Sequence, residues 1–285
     1  MDGAELELAA QHAEIVKPRR FDIAWDGFAR ASFGEEDLAS AAREWRERAR
    51  QEYASLALFT QVASQAHLLG APLDWSSAMA RMITDEVCHT ELCARFAELL
   101  VPGVPVDVDE EALHLPVSAG SLRAHVRGVV VAAMCIGETL SGRIFRQCLR
   151  ATTVPLARDI VRSIVDDETF HGRIGWELLA LLMRGEGEPA LASERDALAS
   201  GLFDLFLHSR TICGASRPLA WARERDEDES TSNKTAPNFG TLTPRGYARC
   251  FWDGMNDDVV PALVACGFPE ARAAWVSASA ADITA

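Results

Sequence analysis

The sequence predicts an all-α protein: a four-helix bundle with a long crossover between helices two and three, plus extra C-terminal helices. Three observations carry this expectation. Apolar residues recur every three or four positions over four segments of helix length. No stretch alternates apolar and polar residues as a half-buried strand does. Each of the four segments also carries one glutamate in the middle of its apolar stripe.

The first helix is expected from about Glu36 to Leu69, ended by Gly70-Ala71-Pro72. The second runs from about Leu73 to Leu100, with Asp74 or Ser76 as N-cap. Pro102, Gly103 and Pro105 stop it, and residues 101–118 form a proline-rich link. The third helix spans about Ala119 to Arg150. The fourth spans about Pro155 to Arg184, with Pro155 in its first turn. A fifth covers about Ser193 to Cys213, and a last one about Pro244 to Cys266, before a tail of small residues. The Val129–Val131 cluster favours strand, but the surrounding Ala, Met and Leu favour helix. This gives an N-terminal extension (1–35), a bundle (36–184) and a C-terminal helical extension packed on it (185–285). A mobile acidic loop is expected at about 222–240.

Composition excludes several functions. The chain has 285 residues, 48% of them apolar, enough for a buried core. Its net charge is −14 with no basic run, which disfavours a nucleic-acid or anionic-membrane partner. No run of 18 uncharged apolar residues predicts a transmembrane helix. The acid-bearing first residues do not read as a signal peptide. Seven cysteines without a Cys-x-x-Cys pair read as reduced thiols of a cytoplasmic protein.

Two stretches carry the chemistry: Asp85-Glu86-Val87-Cys88-His89 and Asp167-Glu168-Thr169-Phe170-His171. The bare Glu-x-x-His spacing is weak, because Glu111-x-x-His114 in the link also fits. Position is stronger. Glu86 and His89 lie on one face with Met79, Met82, Cys93 and Phe96; Glu168 and His171 lie beside Val161, Ile164 and Gly175. Glu52 falls among Trp45, Ala49, Leu56 and Phe59, and Glu138 among Val131, Met134, Cys135 and Phe145. Acids on a core stripe are costly unless paired, protonated or ligating metal. Their heights also match. The midpoint of Glu52 and Glu86 is position 69, at the Gly70 turn; that of Glu138 and Glu168 is 153, just before Pro155. In an antiparallel hairpin, residues equidistant from the turn are level. As plain core ion pairs, two Glu–His pairs would leave four buried carboxylates under-compensated.

This pattern resembles the ferritin-like di-iron carboxylate superfamily, and more loosely the uncharacterised bacterial ferritin-like domain proteins. The matching residues are Glu52, Glu86 with His89, Glu138, and Glu168 with His171, within residues 36–184. The resemblance implies that these six are metal ligands and catalytic residues for two Fe ions, with Mn or mixed Mn/Fe centres using the same donors. It implies that Asp85 holds His171 and Asp167 holds His89 from the second coordination layer. The activity implied is that of a di-iron oxidase or monooxygenase, taking O2 and a small-molecule substrate with an external electron donor, and the resemblance allows a homodimer. The alternatives are a ferroxidase and a dimanganese catalase or rubrerythrin-like peroxidase. Tyr53 and Cys135, beside the ligands, read as packing residues. Ser141, Gly142, Gly172 and Gly175 would either leave room for substrate or let helices approach closely.

Overall fold

In a computed structural model, the described residues are 12, 23–114, 120–183, 189–224 and 236–282. They are all-helical, with no strand among them. The chain forms two compact units. The first takes residues 1–116, 152–167 and 237–241; the second takes residues 117–151, 168–236 and 242–285.

In the first unit, α1 (Glu35–Leu68) and α2 (Leu73–Leu100) form a hairpin. Gly70 makes the turn with φ +81°, where a side chain would be strained. Glu35, Glu36 and Asp37 fill the first turn of α1, next to the positive end of its dipole. At α2 the cap differs from expectation: Pro72 precedes the helix and no side chain caps it, Asp74 and Ser76 lying inside the first turns. The carbonyls that end α2 are taken by arginines instead. Arg30 Nε donates to Leu100 O at 2.9 Å, and Arg46 Nη2 to Val101 O at 2.8 Å.

Phe28 stacks on Phe33, and Phe96 meets Phe28 and Trp45 edge-on. Phe33 also meets Phe239 edge-on, so residues on both sides of α1 in sequence build this core. Residues 225–235 of the expected acidic loop lie outside the described residues. Its end is docked: Trp45 Nε1 donates to Phe239 O at 2.9 Å and Arg48 Nη2 to Gly240 O at 2.6 Å.

In the second unit, α3 (Leu122–Ala151) opens on Ser121, whose Oγ accepts from Ala124 N. Its stretch Val130–Gly137 is a π-helix, and α-geometry resumes at Glu138. By length and composition α3 could cross a membrane, but half of its most apolar window is buried and it carries buried Arg127 and Glu138, as core helices do.

The helix α4 (Pro155–Leu182) is continuous from Asp167, in the first unit, to Glu168, in the second. Within the second unit α3 and α4 run antiparallel, since Gly142 lies by Glu168, Gly172 by Glu138 and Gly175 by Met134. Then come α5 (Pro189–Ile212), α6 (Leu219–Arg223), α7 (residues 244–265) and α8 (Ala271–Ala280). The last is a helix where a plain tail is expected from sequence. A second π-helical turn, Met255–Val259, interrupts α7. Arg143 of α3 reaches Asp258 of that turn at 2.6 Å and Asp257 at 3.1 Å.

Candidate metal centre

The first unit brings Glu52, Glu86 and His89 together, each offering one ligand atom within 4.8 Å of the others. Glu52 comes from mid-α1; Glu86 and His89 come from one face of α2, a single turn apart. The hairpin at Gly70 sets the two helices side by side. All three are buried: His89 fully, Glu86 at 1% exposure and Glu52 at 7%. His89 Nδ1 faces Glu52 Oε2 at 3.4 Å and Glu86 Oε2 at 3.8 Å. Its other nitrogen, Nε2, faces Asp167 Oδ2 at 3.4 Å. The imidazole therefore presents one nitrogen to the two glutamates and has the other fixed by an acceptor, which sets its orientation and tautomer.

Burial lowers the His89 pKa, but Asp167, Glu52 and Glu86 together hold it well above the ordinary histidine value. In the absence of an ion, a proton on His89 offsets only part of the charge of the two acids.

The second unit repeats the arrangement with Glu138, Glu168 and His171, whose ligand atoms also lie within 4.8 Å of one another. His171 Nδ1 stands 3.3 Å from Glu138 Oε2. His171 is fully buried, Glu168 is 2% exposed and Glu138 is 7% exposed. Glu138 is the first residue after the π-helical stretch of α3. A π turn shifts the residues beyond it around the helix axis, so this stretch sets the direction in which Glu138 projects.

Of the two second-layer acids, Asp167 meets His89. Asp85 is fully buried, with Oδ2 3.4 Å from Arg81 Nε. The decoy residues Glu111 and His114 belong to a short 3-10 turn in the link. Tyr53 is 39% exposed and so is not a core-packing residue as sequence suggests. Cys135 is fully buried, and burial pushes its thiol pKa up. None of the seven cysteines, all among the described residues, is in a disulfide.

The glycines divide. A Cβ at Gly175 would fall 2.5 Å from the carbonyl carbon of Met134, so this glycine serves close helix approach. At Gly172 a Cβ would meet only Glu138 O at 3.8 Å, an ordinary contact, while at Gly142 it would meet the flexible end of Arg146 at 3.3 Å and Glu168 at 3.7–3.8 Å.

Two further residues, Cys93 on the α2 stripe and Arg48 on α1, adjoin the first triad. Cys93, fully buried, has its thiol pKa pushed well up, first by burial and then by Glu52 and Glu86. Arg48, one turn before Glu52, lies over the Trp45 ring. A third, Arg81, had a legible signal: it stands four residues before Asp85 on the same helix face.

Each triad offers two carboxylates and one imidazole, a donor set suited to a divalent first-row ion, and the buried Glu/His cluster can therefore hold metal. No family model, curated protein or solved structure matches the chain.

Proposed function

We propose that the chain is a non-haem di-iron oxidase or oxygenase of the ferritin-like kind, using O2 to oxidise a small organic substrate. The observation that carries this reading is the repetition of one buried triad, two glutamates and a histidine. A single such triad fits many structural metal sites. Two of them supply donors for a pair of ions. Asp167, which faces His89 of the first triad, is followed directly by Glu168 of the second.

In this reading Glu52, Glu86 and His89 hold one iron and Glu138, Glu168 and His171 the other. Glu86 and Glu168, the more deeply buried acids, would be the least solvated donors of their triads. Bound there, two ferrous ions supply the two electrons and the open coordination positions that O2 reduction requires. Glu52 and Glu138, at 7% exposure, would be the donors of each triad that lie nearest solvent. Asp167 takes the Nε2–H of His89. Met79, Met82, Phe96 and Met134, all fully buried, keep bulk water from the reacting atoms. Further electrons come from an external donor. The helices beyond residue 185 favour an oxidase over an iron-storing subunit, which is close to a bare bundle.

The test is anaerobic loading with two equivalents of Fe²⁺, then O2, followed by Mössbauer spectroscopy. The expected product is a spin-coupled Fe³⁺ pair. Magnetically isolated Fe³⁺, or no uptake, would sink the proposal. A cage-sized particle that takes up iron beyond two ions per chain would assign it to iron storage.

A further inference from the structure

We infer that Arg81 is a positioning residue of the centre: one guanidinium straddles Asp85 and Asp167 and holds Asp167 where it accepts the Nε2–H of His89. This rests on the metal-binding reading of the first triad.

Arg81 lies on α2, one turn before Asp85 and two before His89. Its Nε stands 3.4 Å from Asp85 Oδ2, and its Nη2 donates to Asp167 Oδ1 at 3.4 Å. Nε and Nη2 lie on the same edge of the planar guanidinium, so one rigid edge serves two carboxylates on two helices. Asp167 then has both oxygens engaged, Oδ1 with Arg81 and Oδ2 with His89. Rotation of that carboxylate would break both contacts together.

An exposed i,i+4 ion pair contributes little by itself. This pair differs, because the Asp85 side chain is fully buried and that of Asp167 is 14% exposed. Their charges would otherwise add to those of Glu52 and Glu86. The Arg81 side chain, 40% exposed, brings a cation in from the solvent side without taking its whole charge out of water. Lysine would keep the charge but lose the fork.

The experiment compares wild type with Arg81→Gln and Arg81→Lys, using Co²⁺ as the probe in a chelator-competition titration read by its visible spectrum. Metal-free protein labelled with ¹⁵N-histidine gives the state of the His89 Nε2–H. Arg81→Gln is expected to weaken one of two Co²⁺ sites by about 10–100-fold, the usual effect of losing an outer-layer partner. It is also expected to alter the ligand-field bands and to lose the hydrogen-bonded His89 proton resonance. Arg81→Lys is expected to fall between the two. Because the side chain is partly exposed, helix content and cooperative melting should survive, and the lysine variant guards against misfolding as the cause. Unchanged Co²⁺ affinity and spectrum in Arg81→Gln, with the resonance retained, would overturn the inference. If wild type took up no Co²⁺ at all, the di-metal reading would fall, and the resonance alone would decide whether Arg81 holds the Asp167–His89 pair.

Discussion

Gly175 of α4 packs against the backbone of Met134 so closely that a Cβ there would stand 2.5 Å from the Met134 carbonyl carbon and 2.9 Å from its Cβ. Met134 is in the π-helical stretch, one turn before Glu138, and Gly175 is one turn beyond His171. The second triad is thus bordered by a close approach of its two helices. Gly175→Ala must move backbone, since the obstacle is main chain. It should destabilise by about 1–3 kcal/mol, the usual cost of overpacking. Gly172→Ala, one turn away, meets nothing nearer than 3.8 Å and should be neutral or stabilise by up to about 1 kcal/mol through helix propensity. Urea denaturation of both variants checks the contrast. Equal midpoints would show that the helices do not approach as described.

The contrast between these glycines was not legible in the sequence. Two readings, room for substrate and close packing, fit the same small residue on the same face, and only the neighbouring helix separates them. The four glutamates were legible as buried because an acid on an apolar stripe is an expensive exception to a regular pattern. The π-helical stretch was hidden for the opposite reason: Val130–Gly137 is apolar all round, so no polar residue marks the change of period. Phe239 and Gly240 sit at the end of a polar run, and one aromatic residue there gives no periodicity to read. The helix Ala271–Ala280 was taken for a tail because its small residues carry a weak stripe, although Trp275 anchors it to Asn256 at 2.7 Å.

The triads should trade stability for function. Glu86 is 1% exposed and shares one imidazole with Glu52, so the metal-free triad holds two acids against at most one positive charge. Neutralising one acid relieves that excess. Glu86→Gln should therefore raise the melting temperature of the metal-free protein while abolishing the further rise that divalent metal gives wild type. Thermal melts with and without Co²⁺ provide the comparison. A variant less stable than wild type when metal-free, yet still stabilised by metal, would contradict this account.

His89 gives the metal-free protein a pH dependence of known sign. Its folded pKa lies well above the unfolded value: burial opposes the shift, but Asp167, Glu52 and Glu86 outweigh it. A raised pKa means that the folded state binds the proton more tightly. The contribution is fully present below the unfolded value, about 6.5, and is lost as pH rises through the folded value. Bound metal would reverse the trend, because a ligating imidazole must give up its proton. Metal-free wild type should lose stability above pH 6.5 relative to His89→Gln, while the stabilisation by Co²⁺ should grow over the same range. Parallel pH profiles for wild type and His89→Gln in denaturant titrations would remove His89 as the titrating group.

The last prediction concerns the docked segment at Asn238–Gly240. Asn238 Oδ1 accepts from Gly240 N at 2.8 Å and Thr241 N at 3.1 Å, while Asn238 O accepts from Thr153 N and Val154 N at the start of α4. That turn presents Phe239 O to Trp45 and Gly240 O to Arg48, one helical turn before Glu52. Gly240 has φ +87°, and a Cβ there would stand 2.9 Å from Val161 Cγ2 and 3.4 Å from Trp45. Gly240→Ala thus meets both backbone strain and a crowded wall, and should cost about 1–3 kcal/mol. Gly201→Ala is the control: that glycine lies in α5 with nothing within 4 Å of an added Cβ, and the change should stabilise by up to about 1 kcal/mol. The distance to the first triad sharpens the test. If the segment anchors Arg48 and through it the α1 face bearing Glu52, Gly240→Ala should also weaken Co²⁺ binding, whereas Gly201→Ala should leave it unchanged. Equal denaturation midpoints for the two variants would mean that Gly240 is not held in the turn described.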